Sequence, residues 1–517
     1  MTPGANAPST SQVPRAGQVR KHRKHRKKAE RLRARGRRDR RAERTSESEK
    51  LPVFNKARRD VLGGRRGDGN QRKRLVRRPD PRTIHVGKPD PHLTGVAGLV
   101  GFGAYLYELG LDRVLHKLFN HLKTGNRTVY VMGIQLRLLI DLFVVGEFRI
   151  FGLEALAADP LFVRLCGGVV PSLDTAYRDV HRFDASEIDA LEALMAAHGL
   201  ALLGRRPRSS KVHVDIDTTV EPLFGDAIEG AEVGYNPQYH GRPSYHPVVI
   251  RVAETDTAVG AVLRPGNTTF GAAEVPAIVK AIDRTREAAG PDALLYARID
   301  AAGDCTEVMS AIDRRGSFFL IKAKMDPHLM GAVAACKKWR TVDWDANGRP
   351  LRQVAEVDFA REGWTNTEWT NAEKRVRVIA VRSRDGDHGK QLYLWEGLEY
   401  TARAYLTNDI YDDADVLAQD YDGRAGIESL IGEFKSHLGI AKVSSESFDA
   451  NHVTLLLKLL THNLLRRYVA EKAPHLRTWR APWLRRALIL IPGRLVTAAG
   501  RKLVLHMAPR SEFTPRE

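Results

Sequence analysis

Three cysteines in 517 residues, Cys166, Cys305 and Cys336, are too few and too widely spaced for a disulfide framework or a Cys-x2-Cys metal knuckle. That usage suits a reducing cytosol. Long apolar runs are also missing. The best stretch, around Leu136 to Val145, is interrupted by Arg137 and Asp141 and falls short of the ~18 residues that a membrane span needs. The first residues lack the apolar segment of a secretory signal. Together these absences exclude a disulfide-stapled secreted module and a helical membrane protein, and they place the expected location in the cytoplasm. Aromatic content is only 7%, but 43% of the residues are hydrophobic, so a core is available. At ~150 residues per domain the length suggests about three domains.

Acidic residues are scarce in one place only. Residues 1–90 hold 29 Lys and Arg against 9 Asp and Glu, a difference equal to the whole net charge of +20. The remaining residues carry 53 of each sign. The stretch RKHRKHRKKAERLRARGRRDRRAER has too little apolar surface to offset its chain entropy. It reads as an unfolded basic arm over residues 1–91, the electrostatic footprint of a polyanionic partner, with nucleic acid ahead of an acidic membrane.

After this arm the periodicity is helical from Leu93 to about Leu203, with a break at Gly110 and a helix from Ser186 capped by Ser186 or Asp184. The segment around Ser172 to Phe183 resembles a short recognition helix carrying Arg178 and Arg182. At Val212 the pattern changes to strands. VHVDID, HPVVIRVAE and AVGAVLRPGN are followed by a helix over about Gly271 to Ala289. The strand ALLYARID, a helix over about Cys305 to Arg314 and the strand SFFLIKAK come next. Between Met325 and about Asp415, alternating segments predict a mostly antiparallel insertion with five tryptophans, Trp339, Trp344, Trp364, Trp369 and Trp395. A leucine-rich helix over about Ala450 to Val469 follows, and IPGRLVTAAGRKLVLHM suggests a closing strand pair.

Three acids stand where strands or helices would present them. Asp217 ends VHVDID, Asp300 ends ALLYARID, and Glu428 lies in YDGRAGIESLIGEFK (Tyr421–Lys435), a stretch with no proline. Read as one helix at 100° per residue, Ile427, Leu430, Ile431, Phe434 and Leu438 share an arc of about 100°. Tyr421, Arg424, Glu428 and Lys435 share a second arc of roughly 60° beside it. Each acid has a competitor. Asp215 would share Asp217's strand face but lies deeper. Asp304 follows Asp300 beyond the strand end, and Glu433 is turned roughly 150° from the polar row.

The spacing Tyr-x2-Arg-x3-Glu-x6-Lys resembles the signature of DDE transposases of bacterial insertion sequences, the transposase DDE domain group 1 among them, and all four positions match. The resemblance spans about Leu93 to Met507. Thr218 after Asp217 and the Asp300-Ala-Ala-Gly303 pattern also fit that family. The resemblance implies an α/β (α+β overall) fold with an RNase H-like mixed sheet, flanking helices, a β-rich insertion before the last acid and an N-terminal helical domain. The corresponding units are 1–91 (basic tail), 92–208 (helical DNA-binding or dimerisation domain), 209–324 (first part of the catalytic core), 325–415 (insertion), 416–472 (last part of the core) and 473–517 (basic C-terminal segment).

It also implies an enzyme that cuts element ends and joins them to target DNA by cut-and-paste chemistry. Asp217, Asp300 and Glu428 would hold two Mg²⁺ ions, with Mn²⁺ able to substitute, because hard cations take carboxylate oxygens. Tyr421, Arg424 and Lys435 would contact DNA. The implied partners are double-stranded DNA, as inverted-repeat element ends and as target, and a second copy of the chain on that DNA. No membrane is involved, and the location would be cytoplasmic at the nucleoid. Two rival readings remain: an RNase H-like nuclease without strand transfer, and an inactive DNA-binding descendant of a transposase.

Overall fold

The computed structural model describes residues 80–205, 211–225, 227–236, 239–361, 364, 376–384, 400–498 and 502–508. The basic arm up to residue 79, Trp369 and Trp395 lie outside them. Strand β1 (Leu93–Thr94) leads into helices α1 (Leu99–Glu108), α2 (Leu111–Phe119), α3 (Met132–Val145), α4 (Leu173–Val180) and α5 (Ala185–Leu200). Gly110 separates α1 from α2 with φ +71°, a left-handed backbone that glycine adopts without a steric cost. Asp184 caps α5 in a reciprocal box with Glu187, so of the two expected caps the structure uses Asp184.

The strand region runs β2 (Lys211–Thr218), β3 (Glu221–Pro222), β4 (Glu232–Val233), β5 (Pro243–Tyr245), β6 (Val248–Val252), β7 (Thr257–Val262), helix α6 (Val275–Ala289), β8 (Leu294–Ile299), helix α7 (Thr306–Arg314) and β9 (Phe318–Lys322). Leaving aside the short β3, β4 and β5, this is the β-β-β-α-β-α-β order expected from the sequence. Strand β2 pairs antiparallel with β6 and parallel with β8, β6 pairs antiparallel with β7, and β8 pairs parallel with β9. The parallel pairs need crossovers, which α6 and α7 supply. This is the RNase H-like mixed sheet with flanking helices.

Beyond β9 the chain forms α8 (Pro327–Ala335) and the strands β10 (Arg340–Trp344), β11 (Pro350–Val357), β12 (Arg377–Arg384) and β13 (Tyr400–Thr407). These four strands do not make a sheet of their own. Strand β13 pairs with β9, and the result is one nine-stranded sheet in the order β10-β11-β12-β13-β9-β8-β2-β6-β7. Of the described tryptophans, Trp339 donates its indole N–H to the Cys336 carbonyl, Trp364 packs edge-on against Phe359, and Trp344 is exposed. Helices α9 (Ala414–Asp422), α10 (Ala425–Glu433) and α11 (Phe448–Lys472) follow, and β14 (Gly493–Thr497) and β15 (Leu503–Met507) form the closing hairpin, which also pairs with β1.

Strand alternation decides which residues face which layer. Val212, Val214 and Ile216 of β2 and Leu295, Ala297 and Ile299 of β8 pack on α6 and α7. On the opposite face, Val249, Ala258 and Ala261 meet α5 and α11, while Tyr296, Leu320 and Tyr405 meet Leu417 and Tyr421. Leu456, Leu459, Leu460 and Leu464 of α11 are fully buried, each stabilising by on the order of 2 kcal/mol. No helix among the described residues is long and apolar enough to cross a membrane.

The single helix expected over Tyr421–Lys435 is a correction. Helix α9 ends at Asp422, α10 starts at Ala425, and Phe434–Leu438 is a π-helical turn. The cause is Arg298 of β8. Its Nη1 donates to the Asp420 carbonyl, the group that Arg424 N–H would use in an unbroken helix. Arg424 N–H instead donates to Tyr421 and Ile427 N–H to Arg424, both in tighter i→i+3 turns. A Cβ at Gly423 would stand 2.7 Å from Arg298 Nη1, so a larger residue there would have to displace that guanidinium. Of the four signature residues, Tyr421 therefore sits on α9, Arg424 in the break, Glu428 on α10 and Lys435 in the π-helical turn, and their approach depends on the sheet as well as on helical spacing.

Candidate active site

Asp215 and Asp217 share the face of β2 that looks toward α9 and α10, as a period of two requires. Their fates differ. Asp215 is fully buried, and its register partners Arg251 on β6 and Arg298 on β8 both bond its carboxylate, Arg251 at 2.8 Å and Arg298 at 2.5 Å. Two guanidiniums neutralise it, so it braces the sheet. Neither arginine was singled out from the sequence. The signal was present, because an arginine inside VVIRV or LLYARI is a charge in an apolar strand and needs a buried acidic partner.

Asp217 comes one period later. The parallel pairing of β2 with β8 ends at Ile216 and Ile299, so Asp217 and Asp300 are the next residues on adjacent strand ends, at the same level. Asp300 also caps the short turn Ala301–Gly303 by accepting from Ala302 N–H. Its competitor Asp304 is buried and paired with Arg361 at 2.5 Å. Glu433, the competitor of Glu428, is buried and accepts from Ala481 N–H at 2.7 Å. Each competitor thus has a structural partner.

Arg424 connects two of the favoured acids. Its Nη2 lies 2.8 Å from Asp217 Oδ1 and its Nη1 lies 3.6 Å from Glu428 Oε1. Arg424 is only 5% exposed, and its Nε and Nη2 find no hydrogen-bond acceptor. The contact to Asp217 is therefore a close ion pair without hydrogen-bond alignment. Burial pushes the Asp217 carboxyl up to about 6; Arg424 opposes the rise, while Asp300 and Glu428 add to it. Burial works against the Arg424 charge, but Asp217, Tyr421 and Asp300 outweigh it and the net direction is up.

Tyr421 and Lys435 reach the same region without standing free. The Tyr421 hydroxyl donates to the Ile299 carbonyl at 3.2 Å, next to Asp300, and its ring packs on Tyr405. Burial raises this phenol to about 12. Lys435 donates to the Val220 carbonyl at 2.8 Å, just past Asp217, and burial lowers its pKa.

Among the described residues, no three His, Cys, Asp or Glu side chains form a ready-made metal cage. Asp217 and Asp300 nevertheless offer hard oxygen donors on adjacent strand ends, and Glu428 is 68% exposed on the facing helix. Burial raises the Asp217 carboxyl, with Asp300 and Glu428 adding smaller contributions, and a bound cation would favour its charged form. Donor type and electrostatics both fit a hard divalent ion.

No curated protein matches the chain. A solved structure, the piggyBac transposase synaptic complex with hairpin DNA, is similar to it at 9% identity over 76% of this chain and 79% of that one, with a TM-score of 0.42. Residues 80–513 match the model of the transposase DDE domain group 1, and the chain belongs to that family of transposases.

Proposed function

We propose that this transposase is the enzyme of a bacterial insertion sequence, cutting element ends and joining them to target DNA by divalent-metal-dependent phosphoryl transfer. The observation that carries the reading is the placement of Asp217 and Asp300 at one level on adjacent strand ends, with Arg424 bridging Asp217 to Glu428. Asp217, Asp300 and Glu428 would hold Mg²⁺, or Mn²⁺ in its place, and two such ions would activate the attacking oxygen and stabilise the leaving oxygen. Arg424 supports a second role. Its buried donors without acceptors suit a phosphate oxygen, which a guanidinium can grip in two places. Tyr421 and Lys435 hold the backbone on either side of the acids and so keep the carboxylates in position.

In the proposed reaction, water forms a bond to phosphorus at the element's end and the bond to the 3′-oxygen breaks, leaving a 3′-hydroxyl and a 5′-phosphate. The freed hydroxyl attacks the opposite strand's phosphodiester, forming a new bond to phosphorus as the bond to the flanking DNA's 3′-oxygen breaks, which closes a hairpin and releases the flank with a 3′-hydroxyl. Water reopens the hairpin by breaking that new bond and regenerates the 3′-hydroxyl, which then attacks a target phosphodiester and displaces the target strand's 3′-oxygen. Joining two ends calls for a dimer on the DNA. The test is cleavage of DNA carrying the element's own ends. Asp217→Ala, Asp300→Ala and Glu428→Ala should each abolish Mg²⁺- or Mn²⁺-dependent cutting and retain binding. Normal cutting by one of these variants would remove that residue from the site.

A further inference from the structure

Helix α10 carries its catalytic row on one flank and a basic cavity on the other. Its exposed crest carries the small residues Ala425, Ser429 and Gly432 within an arc of roughly 60°, with the exposed Glu428 at the edge nearest the catalytic row. Nothing stands within 4 Å of a Cβ built on Gly432, so packing does not require glycine there, although glycine weakens a helix interior. Past the crest lies an open cavity of about 210 Å³ bordered by Arg466, Arg477 and Arg480. Arg480 donates to Ser429 Oγ at 2.8 Å and so ties the C-terminal segment to the crest. Arg466 donates to the Trp479 carbonyl at 3.2 Å. Arg477 is exposed and has no ion pair among the described residues.

The acids at this cavity are already committed. Asp256 bonds Arg251 at 2.7 Å and lies 3.9 Å from Arg466, and Glu433 accepts from Ala481 N–H. Arg466, Arg477 and Arg480 face two carboxylates, Asp256 and Glu433, so the cavity keeps a surplus of guanidinium charge, beside three small crest residues that leave room for a partner. A nucleic-acid backbone fits both properties, since its phosphates need cations and its approach to a helix needs small residues.

We propose that Arg466, Arg477 and Arg480 form a phosphate-binding wall that takes the DNA backbone as it crosses the crest of α10 away from the acids. This proposal rests on the transposase reading above and adds the path of the DNA. The wall positions DNA and contributes no group to the reaction.

The experiment uses the full chain and a duplex carrying the element end, with Ca²⁺ replacing Mg²⁺ during binding. Anisotropy titrations at several salt concentrations are run on wild type, Arg477→Ala/Arg480→Ala and Gly432→Glu. The double variant should bind more weakly, and its slope of log K against log salt should fall by about 0.9 for each lost phosphate contact. Gly432→Glu, at an open position, should keep its circular dichroism, melt no lower than wild type and lose affinity. Unchanged affinity and slope in both variants would overturn the wall, as would a loss of affinity in the double variant with an unchanged slope, because that would assign the arginines to holding the C-terminal segment. Failure of wild type to cut the same duplex in Mg²⁺ would instead count against the transposase reading itself.

Discussion

Arg298 donates to the backbone carbonyl of Asp420, and this bond separates the helix that carries Tyr421 from the helix that carries Glu428. The same guanidinium holds Asp215 through Nε and Nη2. One residue in the middle of the sheet thus ties the buried Asp215 to the break between these two helices.

Removing either member of this buried cluster should act on stability first. Asp215→Ala would leave Arg251 and Arg298 buried without their shared carboxylate, and Arg298→Leu would leave Asp215 with one guanidinium. Breaking a buried pair from one side costs about 3–5 kcal/mol, so both variants should unfold at clearly lower urea concentration. Asp215→Ala should retain cutting per folded molecule. An unchanged urea midpoint would show that the cluster does not brace the fold.

Arg424 and Tyr421 should separate by severity. Arg424→Ala leaves Asp217 without its nearest cation and removes the buried donors assigned to phosphate, and loss of such a group costs about 10²–10³ in rate. Tyr421→Phe loses only the bond to the Ile299 carbonyl, about 0.5–1.5 kcal/mol of stability. A gel that separates nicked, hairpin and double-strand-cut products distinguishes them. Wild-type product ratios in Arg424→Ala would leave Arg424 as a structural ion pair.

Glu221 predicts a pH dependence of stability. It is buried beside Lys435 and Lys458, and burial raises its pKa from 4.5 to about 7 against the pull of both lysines. The folded chain therefore holds a proton on Glu221 that the unfolded chain releases at lower pH. Stability from this group is fully present below 4.5, declines as pH rises through the window to about 7, and stays reduced above it. Lys458 is depressed by burial from 10.5 to about 7 and acts in a different window, costing stability as pH falls from 10.5 to about 7 and adding little further change below it. Glu221→Gln should melt higher than wild type above about 7, with a flatter decline on the acid side. A parallel pair of Tm–pH curves would remove Glu221 from this account.

The sequence by itself determined what local backbone geometry can carry. A period of two put Asp215 and Asp217 on one face of β2, acids closed two strands, and the strand and helix order specified the mixed sheet. It also marked Tyr421, Arg424, Glu428 and Lys435 by their spacing. Only the tertiary structure decided which acids were already spoken for. Asp215 takes partners 36 and 83 residues away, and Glu433 takes one 48 residues away. Such partners exist only once strand registers are set, because register is a property of pairs of segments. For the same reason the four strands of the insertion, read from the sequence as a unit, join the core sheet through β13 and β9. The expected unbroken helix yields to one long-range bond, since local propensity costs tenths of a kcal/mol per residue while leaving the buried Nη1 of Arg298 without an acceptor would cost about 1–3 kcal/mol.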